Sequence, residues 1–174
     1  DVLPYFKKQE TDVDFDGPLH GKDGPITIRR VKEDRWPGLV TGFMQAAEEE
    51  GWRNLQDKNG VFEDGYFPIA VANEDGRRKS TATGYLTPEV RARPNLDILG
   101  EAQVERILFS GTRVTGVRVY RRGEVFDIQA SEVIVSSGSL HSPALLLRSG
   151  IGPAAELAEC GIDVVAHRAG VGKH

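Results

Sequence analysis

A run of three β-branched residues, Val133-Ile134-Val135, leads without alternation into Ser136-Ser137-Gly138-Ser139-Leu140-His141-Ser142-Pro143, and this junction constrains the fold more than any other stretch. An unalternating β-branched run is what a strand covered on both faces looks like, which predicts a buried, parallel strand over 133–135. Ser142 offers the hydroxyl that an N-cap needs. Pro143 suits the first helical position, where its absent N–H would be unpaired anyway, and Gly150 suits the left-handed position past the helix end. The junction therefore reads as strand, tight glycine turn and capped helix. In an open α/β sheet this places a helix N-terminus and free N–H groups at the carboxyl edge of the strands, where anionic ligands bind. Gly138, lacking a Cβ, would let such a ligand approach the backbone.

The segments on either side support a mixed architecture. Leu96–Leu99 and Ala102–Phe109 are β-like, and turns at Gly111 and Arg122-Gly123 separate the latter from Val114–Val119 and from Val125–Ile128. Such spacing predicts a three-stranded antiparallel meander. Gly150-Ile151-Gly152-Pro153-Ala154-Ala155 imitates the dinucleotide pattern G-x-G-x-x-A but follows a helix rather than a strand, so it reads as a turn between two helices. Pro153 would open the second helix, Leu157 and Ala158 pack it and Gly161 end it, with a further strand over Ile162–Ala166 and a glycine-rich turn at Gly170-Val171-Gly172.

The first 80 residues are less regular. Gly17-Pro18, Gly21 and Gly24-Pro25 punctuate the start densely enough to exclude a helix or central strand over the first 25 residues. Asp12-x-Asp14-x-Asp16 resembles a calcium loop, but the later Gly and Glu are missing, so a solvated loop is expected. Ile26–Arg30 alternates as a strand. Leu39, Val40, Phe43, Ala46 and Ala47 recur at helical spacing between Pro37 and Glu50, predicting a packing helix stopped by Gly51. A polar stretch from Asn54 to Gly76 interrupts itself with apolar Tyr66–Ala72 and ends in the turn Asn73–Gly76; a short helix over Ser80–Leu86 then stops before Pro88. The fold class expected is α+β.

The 174 residues carry a formal net charge of −4 and one cysteine, with no apolar run near membrane-spanning length, which argues against a transmembrane helix and a disulfide framework. Residues 1–79 hold 16 acidic and 12 basic side chains and residues 80–174 hold 10 of each, so no nucleic-acid footprint is expected. Cys160 reads as a buried or idle thiol. The chain lacks an initiator Met and a signal-like segment; it reads as a piece of a longer, cytoplasmic protein.

Gly138, Ser139, Ser142, Pro143, Leu145, Leu146, Ser149, Gly150, Ile151 and Gly152 resemble, position by position, the second signature of the glucose-methanol-choline (GMC) flavoprotein oxidoreductases. Leu3-Pro4-Tyr5-Phe6-Lys7-Lys8 and His20-Gly21-Lys22-Asp23-Gly24-Pro25 are similar to the start of that family's middle region. Gly76-Arg77-Arg78-Lys79-Ser80 resembles the segment re-entering the flavin domain, and Gly170-Val171-Gly172 the start of a further family stretch. Lys173-His174 looks closest to choline-dehydrogenase-like members.

The resemblance implies a fragment of an FAD/NAD(P)-binding-type α/β domain with its meander, over residues 80–174, and part of a substrate-side region over residues 1–79. It implies FAD in the full-length protein and oxidation of a primary alcohol, choline-like or other, by hydride transfer to flavin N5 with the hydroxyl proton passing to a general base. Val104 stands where a backbone amide and carbonyl face the adenine, and Ser136, Ser137 and Gly138 where the family lines the cofactor. For Ser137 and Gly138 a plain tight turn is the alternative, and Ser142 reads as a cap rather than a ligand. Tyr66, Phe67 and Ile69 would border the substrate pocket or serve packing. The family's G-x-G-x-x-G would lie upstream of Asp1 and its catalytic His downstream of His174. No catalytic or metal-ligating residue is therefore assigned, and His20, His141, His167 and His174 read as surface or packing residues. The isolated chain is expected neither to retain FAD nor to oxidise alcohols, and its exposed strand edges would allow pairing between copies. Two alternatives stay open: a hydroxynitrile lyase with structural FAD, and a non-enzymatic interaction module.

Overall fold

Alternation in Ile26-Thr27-Ile28 produces the strand it predicts, β2 (Ile26–Arg30), with Ile26 and Arg30 buried at its two ends. The computed structural model describes every residue except Val61 and His174, and the chain divides into two units, Asp1–Asp97 and Ile98–His174. In the first, β1 (Glu10–Asp12) runs parallel to β2, while β5 (Ala70–Glu74) pairs antiparallel with β2 and with β6 (Arg77–Arg78), giving the order β1-β2-β5-β6. The β5–β6 turn falls at Asp75-Gly76, both with positive φ, as the turn signal requires.

The start of the chain is more ordered than its glycines and prolines suggest. Helix α1 (Leu3–Gln9) and β1 both precede the first Gly-Pro pair, and Pro4 sits in the first helical turn, where it costs nothing. Gly24 explains the composition: a Cβ there would lie 2.3 Å from Glu10 N, so only glycine lets the returning loop lie against the α1–β1 junction. Asp12 is not solvated but fully buried.

Helix α2 (Gly38–Glu49) follows Pro37 and ends before Gly51, whose φ is +88°. Its apolar positions are not packed as expected: Leu39 is 86% and Phe43 65% exposed, so the helical period is present while the surface it should cover is not supplied by the described residues. Short strands β3 (Arg53–Asn54) and β4 (Gly65–Tyr66) pair in parallel. Ser80 and Thr83 form a capping box on α3 (Thr81–Gly84). Pro88 begins a helix rather than merely stopping one: α4 (Pro88–Arg91) is capped by Thr87, whose side chain accepts from Val90 N–H.

In the second unit, β7 (Gln103–Ser110), β8 (Arg113–Arg121) and β9 (Glu124–Gln129) form the antiparallel meander in the order β7-β8-β9. The turn Arg122-Gly123 has φ of 51° and 90°, the pair of positive values that suits a tight hairpin. Leu96–Leu99 lies outside any strand. Helix α5 (Gly138–Arg148) is followed by β10 (Ile151–Gly152), α6 (Ala154–Glu159) and β11 (Ala166–His167). β10 and β11 pair in parallel, so the strand expected over 162–166 is reduced to its last residue and the next one. Cys160, expected to be buried or idle, is exposed at the end of α6.

Two expectations at the informative junction are corrected. Val133–Val135 belongs to no β-ladder, and Ile134 is 83% exposed. A two-sided parallel strand needs a parallel neighbour, and no strand described in this unit lies alongside. The helix also starts five residues before Pro143, which sits in its interior, so the i−4 carbonyl of Ser139 has no N–H to accept from it. Ser142 is no N-cap: its Oγ accepts from Ser137 N–H at 2.9 Å, tying the first turn back to the entering chain. Among the described residues only Ile26, Ile107, Val119, Leu145 and Leu157 are buried apolar side chains, a small core for this length. No described helix is long and apolar enough to cross a membrane.

Candidate functional site

The C-terminal end of α5 grips one edge of β7. Among the described residues β7 pairs only with β8, so no described strand lies on its other edge. Glu105 is the extra residue of a bulge, skipped where the register passes from Val104–Val119 to Arg106–Arg118. Its carbonyl accepts from Arg148 Nε at 3.0 Å. Two residues on, Ile107 N–H donates at 2.8 Å to Oγ of buried Ser149, which itself donates to Leu145 O at 2.6 Å. Val104, half-buried, lies beside this grip.

Ser136, Ser137 and Gly138 lie at the opposite end of α5, roughly 16 Å away along its axis for 11 residues. The structure therefore does not gather the expected site residues into one cluster but sets them at two ends of one helix. All three are exposed, Gly138 has φ of +84°, and a Cβ there would meet nothing within 4 Å. Ser137, at the N-cap position, makes no side-chain capping bond, so the first-turn N–H groups, which have no helical acceptors, stay open. Ser137 N–H itself is taken by Ser142. Open donors backed by the helix dipole suit an anionic group at this end, whereas at the other end α5 itself takes the Glu105 carbonyl and Ile107 N–H of the β7 edge.

In the first unit the structure assembles Asp12, His20, Arg30 and Asp57, which no sequence pattern joins. Arg30 Nη1 donates to both Asp12 oxygens at 2.7 Å, and Nη2 to Asp57 Oδ1 at 3.2 Å. His20 lies between the same two acids, with Nδ1 3.0 Å from Asp12 Oδ2 and Nε2 3.0 Å from Asp57 Oδ2. Phe15 stacks on His20 and lies under the Arg30 guanidinium, 4.5 Å from it. Burial alone would raise the Asp12 carboxyl, but hydrogen bonds from Arg30 and from the N–H groups of Asp14 and Phe15, with the Arg30 charge, hold it below the ordinary aspartate value. Glu10, Asp12 and His20 present ligand atoms within 4.8 Å of one another. Because Arg30 already engages both Asp12 oxygens and brings its own positive charge, the arrangement is a buried ion-pair network rather than a cation site. Asp12, His20, Arg30 and Asp57 are 8 to 45 positions apart and share no period, so no sequence pattern marks them as a group.

The remaining residues singled out in the sequence are dispersed. Tyr66 is half-buried and its hydroxyl donates to Glu48, which together with burial pushes the phenol up to about 12. Phe67 is half-buried, and Ile69 is 66% exposed. His141 is exposed; His167 Nδ1 accepts from Ala154 N–H at the start of α6, a packing role. His174 lies outside the described residues.

Residues 1–174 match the family model described as GMC oxidoreductase. The chain is 49% identical to a 5-(hydroxymethyl)furfural oxidase of Methylovorus sp. (strain MP688) over 174 residues, covering 99% of this chain and 33% of that protein. It is 41% identical to an oxygen-dependent choline dehydrogenase of Burkholderia multivorans over 176 residues, covering 100% and 31%. Among solved structures, pyridoxine 4-oxidase from Mesorbium loti superposes with a TM-score of 0.88 at 33% identity, over 95% of this chain and 32% of that one. An FAD-dependent oxidoreductase from Chaetomium thermophilum superposes at 0.83 and 29%, over 97% and 32%. The chain thus spans about a third of the length of the relatives it matches. Matched from its first residue to its last, and sharing the mixed α/β fold of these neighbours, this chain belongs to the GMC oxidoreductase family.

Proposed function

We propose that the chain is the central part of an FAD-dependent oxidoreductase that oxidises a primary alcohol. The observation that carries this reading is the open first turn of α5, with uncapped N–H groups beside an exposed, left-handed Gly138, in a segment matching the family signature. Three relatives are named for hydroxymethylfurfural, choline and pyridoxine, each of which carries a primary alcohol. On this reading residues 80–174 belong to the FAD-binding domain and residues 1–79 to the substrate-side region.

The chemistry FAD supplies when bound is acceptance of hydride at N5. The chain's own part is to bind and orient. The open backbone N–H groups after Ser137 would line the cofactor, where the helix dipole would favour an anionic group. Ser136 and Gly138 would line the cofactor, Gly138 with open space where a Cβ would stand, Ser142 holds Ser137 in place, and the amide and carbonyl of Val104 would face the adenine. No residue of this chain is assigned to proton transfer from the alcohol.

Anaerobic stopped-flow mixing of the full-length protein with primary alcohols tests the reading: the flavin absorbance is expected to bleach in step with alcohol oxidation. Cleavage of a cyanohydrin without any bleaching would establish the lyase alternative instead.

A further inference from the structure

The geometry points to Ser149 and Arg148 as positioning residues that set the adenine-facing backbone of β7, an inference that rests on the cofactor reading of Val104. Three observations carry it. The bulge at Glu105 lies immediately after Val104, so whatever fixes the bulge fixes the direction of Val104's peptide groups. A bulged residue loses its ladder partner, and here the freed Glu105 carbonyl is held by Arg148 Nε at 3.0 Å. Ser149 Oγ then takes Ile107 N–H on the same edge at 2.8 Å. Two consecutive side chains of one helix end thus hold two alternate residues of one strand.

Ser149 is 6% exposed and uses its hydroxyl fully, accepting from Ile107 and donating to Leu145 O. Removing that hydroxyl leaves a buried strand N–H with no acceptor, and the strand must shift to satisfy it. Arg148 is exposed, and its loss frees the bulge without opening the core. Both changes act on the adenine end of the site and leave the first turn of α5 untouched. They therefore weaken a ligand that carries adenine and spare one that lacks it.

The test uses the full-length protein, stripped of flavin and titrated with FAD and separately with FMN, with binding followed by flavin fluorescence. Wild type is expected to prefer FAD. Ser149→Ala and Arg148→Met are expected to raise the Kd for FAD by about fivefold to tenfold, with the Kd for FMN unchanged. Ser149→Thr, which retains the hydroxyl, is expected to keep the preference. If the two weakening variants lose FAD and FMN alike, or keep the full preference for FAD, the positioning role is overturned while the cofactor reading stands. If wild type itself shows no preference for FAD over FMN, the Val104 reading is what fails. Arg148→Met keeps the test decisive should Ser149→Ala not fold.

Discussion

Arg30 Nη1 lies 2.7 Å from both carboxylate oxygens of Asp12, whose side chain has no solvent exposure. The same guanidinium reaches Asp57, and His20 bridges the two acids from the other side. The network joins β1, the loop after it, β2 and the turn at Asp57 into one unit.

Arg30→Met is expected to destabilise the first unit by about 3–5 kcal/mol, because it leaves two buried carboxylates without their main counter-charge. Trp36 and Trp52 both lie in this unit, so denaturant unfolding followed by tryptophan fluorescence reports on it. A loss below about 1 kcal/mol would mean that solvent reaches the network.

Acid should weaken the same network. Asp12 is held below its ordinary value of 3.8, so it contributes stability that is complete above that value and is lost as pH falls through the lower folded value. Unfolding free energies measured from about pH 5 downward should fall with pH in the wild type and less steeply in Asp12→Asn. Equal slopes would assign the acid sensitivity to other carboxylates.

Gly150→Ala should cost roughly 2 kcal/mol or more of stability, since φ is +82° and the added Cβ would sit 2.3 Å from Asp163 O. Calorimetry of the full-length protein measures the lowered Tm, and an unchanged Tm would mean that the 150–163 contact is dispensable.

Ile134 is exposed between half-buried Val133 and Val135. Ile134→Asp should leave the isolated chain's unfolding within about 0.5 kcal/mol of wild type, as for an exposed site. Denaturant unfolding of the two chains measures it. A loss above about 1 kcal/mol would mean that the Ile134 side chain is packed rather than exposed.

Purified alone, the 174-residue chain should carry no visible flavin absorbance, since only one part of the proposed cofactor site is present. Co-purifying flavin would show that the edge of β7 and the first turn of α5 suffice to hold it.

Local chemistry determined much of this protein directly. Alternation and the Arg122-Gly123 turn specify the meander, Pro37 and Gly51 bracket α2, and Gly150 and Gly161 end their helices, because strand period and left-handed glycine are properties of a few adjacent residues. The signature from Gly138 to Gly152 identifies the family in the same way. Only the tertiary structure decided what depends on distant partners. It showed that Asp12 is buried against Arg30, Asp57 and His20, that Ser142 ties a turn instead of capping a helix, that Ser149 reaches β7, and that Val133–Val135 has no strand beside it among the described residues. Hydrogen bonds and ion pairs between residues far apart in the chain have no period, and a strand is defined by its neighbour, so neither is written in any local stretch of sequence.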